Sequence, residues 1–164
     1  MTSRKQVIET IRAFEIEVRE LAGALSDQAW TGQAYENGWN ARQLLCHIAS
    51  TSGVAQFLLT LARAPAGGVT GVPTSSGGYD IDEFNRQQVA MREGRTVAEI
   101  TAEIVSNLER GTAAVEAAPD EELAKRFRAP WGIEGSLAEV IAGSFREHLG
   151  LHLADLRSAT RPAM

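Results

Sequence analysis

Two histidines that lie four residues apart near the C-terminus are the strongest sign of chemistry in this sequence. On an α-helix, the Cβ atoms of His148 and His152 would lie about 6 Å apart, so both imidazoles could aim at one point. The third histidine, His47, falls far upstream, on the inward stripe of another helical pattern with Leu44 and Leu58. We predict that all three converge on one divalent metal inside a helical bundle. The alternative is that they are ordinary histidines satisfied by nearby carbonyl groups.

A site made only of imidazoles limits the metal and the kind of centre. Such a site suits Zn, Ni, Fe or Cu, and Zn or Ni is our expectation. It leaves coordination positions for water or substrate, which is typical of a catalytic centre. Asp155 could orient the second nitrogen of His152, although a solvated aspartate near a helix end is the more ordinary interpretation. Glu147 is rotated about 100° from His148 on a helix and is therefore a poor co-ligand.

The single cysteine and the three tryptophans are assigned to packing. Cys46 directly precedes His47 and should face elsewhere, as a small buried hydrophobe and not as a nucleophile or ligand. One thiol cannot form an internal disulfide, which fits a reducing compartment. We expect Trp30, Trp39 and Trp131 to pack the loop ends of a bundle, with a wall of the substrate pocket as the alternative for Trp131.

Hydrophobic periodicity and helix-start signals place the elements that must position these residues. Four capping boxes precede apolar stripes that recur every three or four residues: Ser3 with Gln6, Asn40 with Gln43, Thr96 with Glu99, and Ser136 with Glu139. They predict long helices over residues 3–25, 40–63, 96–117 and 136–158, and Asp80 could cap a shorter helix to Met91. Residues 26–38 and 119–135 are predicted connections, the second with one helical turn.

This pattern predicts one all-α domain over residues 1–164, an antiparallel four-helix bundle with one additional short helix. No alternation typical of strands competes with it. The Gly- and Pro-rich segment Pro65–Gly78 is interpreted as a mobile loop beside the site, and a linker between two domains is the alternative.

Composition limits the partners. The net charge is −5 and no Lys/Arg-rich run occurs, which argues against nucleic acid, because a basic stripe is needed to displace counterions from phosphates. No apolar run approaches the ~20 residues of a membrane span, and no signal-peptide core follows the N-terminus. We therefore expect a cytoplasmic protein with small-molecule partners and no membrane.

Three segments resemble motifs of one known superfamily. The segment Gly38–Ile48 resembles the Trp-x7-His signature that opens the second helix of DinB-like proteins, and the sequence at 80–85 resembles their middle-helix motif. Glu147-His148-x3-His152-Leu153-x-Asp155 resembles their last-helix motif. This superfamily includes the YfiT-like proteins and the N-terminal domain of mycothiol-dependent maleylpyruvate isomerases.

The resemblance implies a fold, a ligand set and a class of activity. It implies a DinB-like bundle, often a homodimer, with His47, His148 and His152 as the metal ligands. Several members are thought to be thiol S-transferases that use mycothiol, bacillithiol or glutathione. Maleylpyruvate isomerases carry a further C-terminal domain and a glutamate at one ligand position, and this sequence has neither, so that activity is not expected here.

The function expected from residues and resemblance together is a metal-dependent enzyme, a thiol S-transferase in which the metal presents a small thiol as thiolate. Hydrolysis by a metal-activated water at the same site is one alternative. The other is a non-catalytic dimer that binds small molecules or serves in stress, without a functional metal.

Overall fold

Side-chain caps begin the long helices at the positions that the sequence predicts. In the computed structural model, which describes residues 2–32, 38–64 and 80–159, all four capping boxes form as reciprocal pairs of hydrogen bonds. The carboxylate of Asp80 likewise accepts from the backbone N–H groups of Asp82 and Glu83. Each cap satisfies backbone donors that a helix leaves free at its first turn, and this fixes where the helix begins.

The described elements are nine α-helices, one π-helical segment and one β-hairpin. In chain order they are α1 Arg4–Ala24, α2 Asp27–Gly32, α3 Ala41–Thr51, α4 Val54–Arg63, α5 Ile81–Ala90, α6 Val97–Ala117, α7 Asp120–Ala124, β1 Arg126–Arg128, β2 Glu134–Ser136, α8 Leu137–Gly143, the π-helical segment Ser144–Leu149, and α9 Gly150–Ala159. The segment predicted as a mobile loop, Pro65–Gly78, lies outside the described residues.

Four helical rods form the bundle. The first is α1, the second is α3 together with α4, the third is α6, and the last is α8 continued through the π-helical segment into α9. The expectation of an all-α bundle is confirmed. α1 begins beside the end of α6, where Arg4 donates to the carbonyl of Ala118. The last rod follows the direction of α1, since Phe14 contacts Phe145 and Glu17 pairs with Arg157.

The second and third rods run in the same direction. The Asn107 side chain on α6 donates to the Ala49 carbonyl and to the Ser52 hydroxyl, and further along a Cβ at Gly111 would lie 3.2 Å from that of Ala55. The connection between α4 and α6 must therefore return along the bundle, and α5, which packs on α3, is part of it.

The shared direction of the second and third rods departs from the predicted antiparallel arrangement. The structure differs from the sequence prediction in three further places. The predicted second helix is broken at Ser52 and Gly53, where hydroxyl groups of the preceding turn bond back to helix carbonyls. The predicted connection at 26–38 contains α2. The connection at 119–135 contains α7, as expected, and also β1, which pairs antiparallel with β2 in the register Phe127 to Gly135.

One hydrophobic cluster joins the rods. Its fully buried large side chains come from α1, α3, α4, α6 and the last rod: Ile11, Leu45, Ile48, Leu58, Leu59, Ile100, Ile104, Leu108, Leu137, Ile141, Leu149 and Leu153. Nearly every one of these positions belongs to an apolar stripe read from the sequence, which is why the bundle could be predicted.

The run Ala41–Arg63, which covers α3 and α4, is long and apolar enough to cross a membrane by length and composition. It has 23 residues and a mean hydropathy of 1.5, and 56% of its most apolar window is buried inside the bundle. A core helix meets the same criteria, so this run is no argument for a membrane span.

Candidate metal centre

The three histidines of the chain form a cluster between α3 and the last rod. One candidate ligand atom from each of His47, His148 and His152 lies within 4.8 Å of the other two. The ring centroids are 4.8 Å apart for His148 and His152, 4.9 Å for His47 and His152, and 5.7 Å for His47 and His148. The structure thus brings together all three side chains that the sequence singled out.

Two nitrogens of this cluster are buried without a hydrogen-bond partner. They are Nδ1 of His47 and Nε2 of His152, and no acceptor or donor for them occurs in the described part of the chain. Buried polar atoms are rarely left unpaired, so such a pair calls for an explanation. Imidazole nitrogens are ligands for divalent transition metals, and the donor set therefore fits an ion such as Zn²⁺ or Ni²⁺.

The cluster is buried on the side of His47 and open to solvent on the side of His148. His47 is 3% exposed, His152 is half-buried and His148 is exposed. His47, His148 and His152 would together supply three nitrogen ligands to a divalent ion such as Zn²⁺. The open side at His148 would leave a coordination position for a small ligand.

Partial removal from water lowers the pKa of all three imidazoles, including that of His148, which is exposed on one side but packs against the other two rings. Burial lowers the pKa of His47 to about 3, with further lowering by the nearby His152 and His148. Burial and His148 lower the pKa of His152 to about 4, and burial also lowers that of His148. No carboxylate hydrogen-bonds to any of the three histidines within residues 2–32, 38–64 and 80–159. The rings therefore offer uncharged lone pairs at neutral pH.

Trp39 is a site residue that the assignment to packing missed. Its ring centroid lies 5.1 Å from that of His47, and the side chain packs against the hydrophobic core. It directly precedes Asn40, the cap of α3, so the start of the helix sets both the tryptophan and the histidine two turns later. The Trp-x7-His spacing was the signal that could have identified this contact.

The two acidic candidates take no part in the cluster. Asp155 makes no hydrogen bond with His152 among the described residues. It is partly buried in the middle of α9, so it is not the solvated helix-end aspartate of the ordinary interpretation. Glu147 is exposed and rotated away from the imidazoles, as its helical position predicts.

Cys46 and Trp131 also lie apart from the histidine rings. Cys46 is fully buried, and burial raises the pKa of its thiol to about 11, so it is a packed hydrophobe as expected. Trp131 is 47% exposed and stacks on Phe57 of α4 with centroids 6.3 Å apart. It neither fills a loop end as a buried residue nor contacts the histidine cluster.

Solved structures share this fold at low sequence identity. One is a mutant of the mycothiol-dependent maleylpyruvate isomerase, with a TM-score of 0.69 and 14% identity over 94% of this chain and 60% of that one. This chain therefore spans about 60% of the isomerase chain. Another is the colibactin self-resistance protein ClbS in complex with a dsDNA, with a TM-score of 0.63 and 15% identity over 96% of this chain and 97% of that one.

No curated protein sequence matches the chain. A family model does match, over residues 11–157, which include all three histidines and most of the four rods of the bundle. That family is described as the mycothiol maleylpyruvate isomerase N-terminal domain. The DinB-like resemblance of the short motifs is thus confirmed by a match that covers most of the sequence. The chain belongs to the mycothiol maleylpyruvate isomerase N-terminal domain family.

Proposed function

We propose that this protein is a metal-dependent thiol S-transferase whose metal is held by His47, His148 and His152. The observation that carries the proposal is the cluster itself: one candidate ligand atom from each of three imidazoles on two rods lies within 4.8 Å of the others, and His148 is exposed to solvent. Zn²⁺ or Ni²⁺ is the expected ion. The small thiol would be mycothiol or a similar compound, as the family relationship suggests.

The chain contributes orientation and exclusion of water at the back of the site. A divalent metal, when bound, would lower the pKa of a coordinating thiol so that the thiolate exists at neutral pH. Trp39 and the apolar core behind His47 would leave the open side at His148 as the route for the thiol. The thiol proton passes to solvent, and the thiolate sulfur attacks an electrophilic carbon of the second substrate to form a C–S bond. The leaving group departs from that carbon with the bonding electron pair and takes up a proton from solvent.

The surroundings of the cluster favour a thiol nucleophile over hydrolysis. Activation of water is commonly assisted by a carboxylate that accepts its proton, and none hydrogen-bonds to the cluster within the described residues. A thiol needs no such base once its pKa is lowered. Hydrolysis remains the alternative for the same three ligands.

The remaining parts of the proposal concern partners and location. We infer a cytoplasmic homodimer that handles small molecules, in line with the family resemblance. The DNA complex of ClbS counts against our expectation that no nucleic acid binds, whereas the net charge of −5 supports that expectation. A mobility-shift titration with a short DNA duplex at physiological salt should give no complex at micromolar protein, and a complex would overturn this part.

Elemental analysis and metal titration test the metal site. Protein purified without a histidine tag should contain a stoichiometric transition metal or bind one after supplementation. His148→Ala removes one of three ligands, so its affinity for Zn²⁺ should fall more than about a hundredfold, beyond the loss typical of outer-shell changes. The matched control is Glu147→Gln, an exposed neighbour that points elsewhere and should bind as the wild type does.

Activity decides between the candidate functions. Metal-loaded protein should transfer a small thiol to a general electrophile, and His148→Ala should not. Activity that survives in His148→Ala would reject the proposed role of the cluster. Persistent absence of metal after supplementation would support the non-catalytic, small-molecule-binding dimer instead.

A further inference from the structure

The last rod is not a regular α-helix where it reaches the histidine pair. Residues Ser144–Leu149 are π-helical, and the Gly150 N–H donates to the carbonyl of Phe145, five residues earlier. Because of this close approach, a Cβ at Gly150 would lie 3.3 Å from the same carbonyl oxygen. A turn closed in this way holds one residue more than an α-helical turn, and such turns are frequent at functional sites.

The extra residue restores the core-facing side of the rod. Four buried residues mark this side: Ile141 before the π-helical segment, Phe145 and Leu149 within it, and Leu153 after it. At about 100° per residue, the twelve steps from Ile141 to Leu153 would turn Leu153 by about 120° away from Ile141. One residue absorbed by the π turn subtracts about 100°, which leaves about 20° and returns the leucines to the core face.

The same correction sets the direction of the histidines. With one residue absorbed, His148 and His152 lie roughly 120° and 80° to one side of Ile141, away from the core line. Without it, both would lie within about 20° of Ile141 and point into the leucine core. The i, i+4 spacing makes the two imidazoles neighbours, but it does not determine which way the pair faces.

We propose that the π-helical turn Ser144–Leu149 is a positioning device that aims the His148 and His152 pair at His47 by absorbing one residue of the last rod. The inference rests on the proposed metal site for its functional consequence. The structural part of the inference depends only on the angular positions of the buried residues around the last rod. The inference implies that one residue of this turn could be removed while the helices on both sides keep their buried faces.

This gives an expectation opposite to the usual effect of a deletion inside a helix. Arg146 is exposed, and no ion pair or hydrogen bond of its side chain is found in the described part of the chain. Its deletion should convert the π turn into an ordinary α-helical turn while both flanks keep their orientation. The histidine cluster should therefore survive.

Titration with Zn²⁺ alone tests this, together with thermal unfolding and helix content by circular dichroism. The variant that lacks Arg146 should bind Zn²⁺ within about threefold of the wild type and unfold within a few degrees of it. Insertion of one alanine after Arg146 is the matched control. It should rotate the pair by about 100° into the core and weaken Zn²⁺ binding at least about a hundredfold.

A second deletion separates the register argument from the metal proposal. Glu109 is also exposed but belongs to the regular helix α6, so its deletion should rotate buried Val115 out of the core and lower the melting temperature sharply. If the wild type binds no Zn²⁺, the proposed function fails, and the positioning inference is then judged on unfolding alone. Loss of folding on deletion of Arg146, or wild-type Zn²⁺ binding after the insertion, would overturn it.

Discussion

His47 and His152 each bury a ring nitrogen that has no partner in the described part of the chain. An unsatisfied buried polar group costs about 1 to 3 kcal/mol, so the cluster is costly for the apo protein to keep. Ligation of a metal would offset that cost, because the nitrogens would then share their lone pairs with the ion. The pair of orphaned nitrogens is therefore a stronger argument for a metal than the proximity of the rings alone.

At this scale the sequence predicted the residues and not their surroundings. The spacing of His148 and His152, and the place of His47 on an apolar stripe, were sufficient to name the cluster. The contact of Trp39 with His47 could not be derived from periodicity, because Trp39 stands before the helix, where no stripe applies. Burial of each ring, from 3% exposure at His47 to the exposed His148, also depends on packing between rods.

Cys46 supplies a prediction that bears on the source of the thiol. Burial raises its pKa to about 11, from a usual value of 9.0, so the thiolate fraction near pH 8 falls about a hundredfold. Alkylation of the native protein should therefore be at least about a hundredfold slower than that of the unfolded chain, and should accelerate only as the pH approaches 11. Mass spectrometry of iodoacetamide-treated protein, native and in guanidinium, measures both rates.

The control for this prediction is Cys46→Ala, which removes the only thiol of the chain. If the transferred thiol is a separate small molecule, this variant should keep the full rate of thiol transfer. Rapid labelling of native Cys46 would contradict its raised pKa, and loss of transfer in Cys46→Ala would show that the protein's own sulfur takes part.

At the scale of elements, starts of helices were predictable and interruptions were not. A capping box is a local arrangement of two side chains and the backbone between them, so four short patterns fixed four starts. The break at Ser52 and Gly53 arises where three hydroxyl residues in a row bond back to carbonyls of α3, and Asn107 of another rod then binds one of those same carbonyls. Apolar periodicity continues across the break and conceals it.

The hairpin and the π turn escaped prediction for different reasons. β1 and β2 have three residues each, too few for alternation to be recognised, and their pairing is fixed by the turn at Gly132, whose φ of 99° favours glycine. The π turn leaves a trace in the sequence, since the buried residues Ile141, Phe145, Leu149 and Leu153 recur at steps of four without the step of three that an α-helix needs. That trace becomes clear only when burial is known.

At the scale of the molecule, the histidine cluster is separated from the ion pairs that join α4, α7 and the start of α1. The histidine cluster lies between α3 and the junction of the π-helical segment with α9. The far end of the bundle is closed by contacts among α4, α7 and the start of α1, where Arg63 donates two hydrogen bonds to Glu122, and Arg4 pairs with Asp120. The sequence predicted the rods but not that the second and third run in the same direction. No local pattern shows that the long connection between α4 and α6 leads back along the bundle.

This separation predicts that Glu122 contributes to stability and not to metal binding. Hydrogen bonds from Arg63 are the main cause that lowers the pKa of the nearly buried Glu122 carboxyl below its usual 4.5. Glu122→Gln loses the charge and should lower the free energy of unfolding at pH 7 by about 1 kcal/mol, a modest value because Arg63 is half exposed. For a chain of this size that corresponds to a melting temperature lower by roughly 2 to 4 °C.

The pH dependence follows from the direction of the pKa shift. The pKa of Glu122 is lower in the folded protein than in the unfolded chain, so acid protonates the unfolded chain first. The contribution of Glu122 to the free energy of unfolding is therefore complete above pH 4.5 and is lost as the pH falls through the folded pKa. The difference between wild type and Glu122→Gln in urea unfolding should therefore shrink between about pH 7 and pH 3.5. Glu121→Gln, an exposed change on the same short helix, should show no such difference, and both variants should bind Zn²⁺ as the wild type does. A change in Zn²⁺ affinity on Glu122→Gln would mean that the closed end controls the geometry of the histidines, because the ion pair could reach them only through the rods.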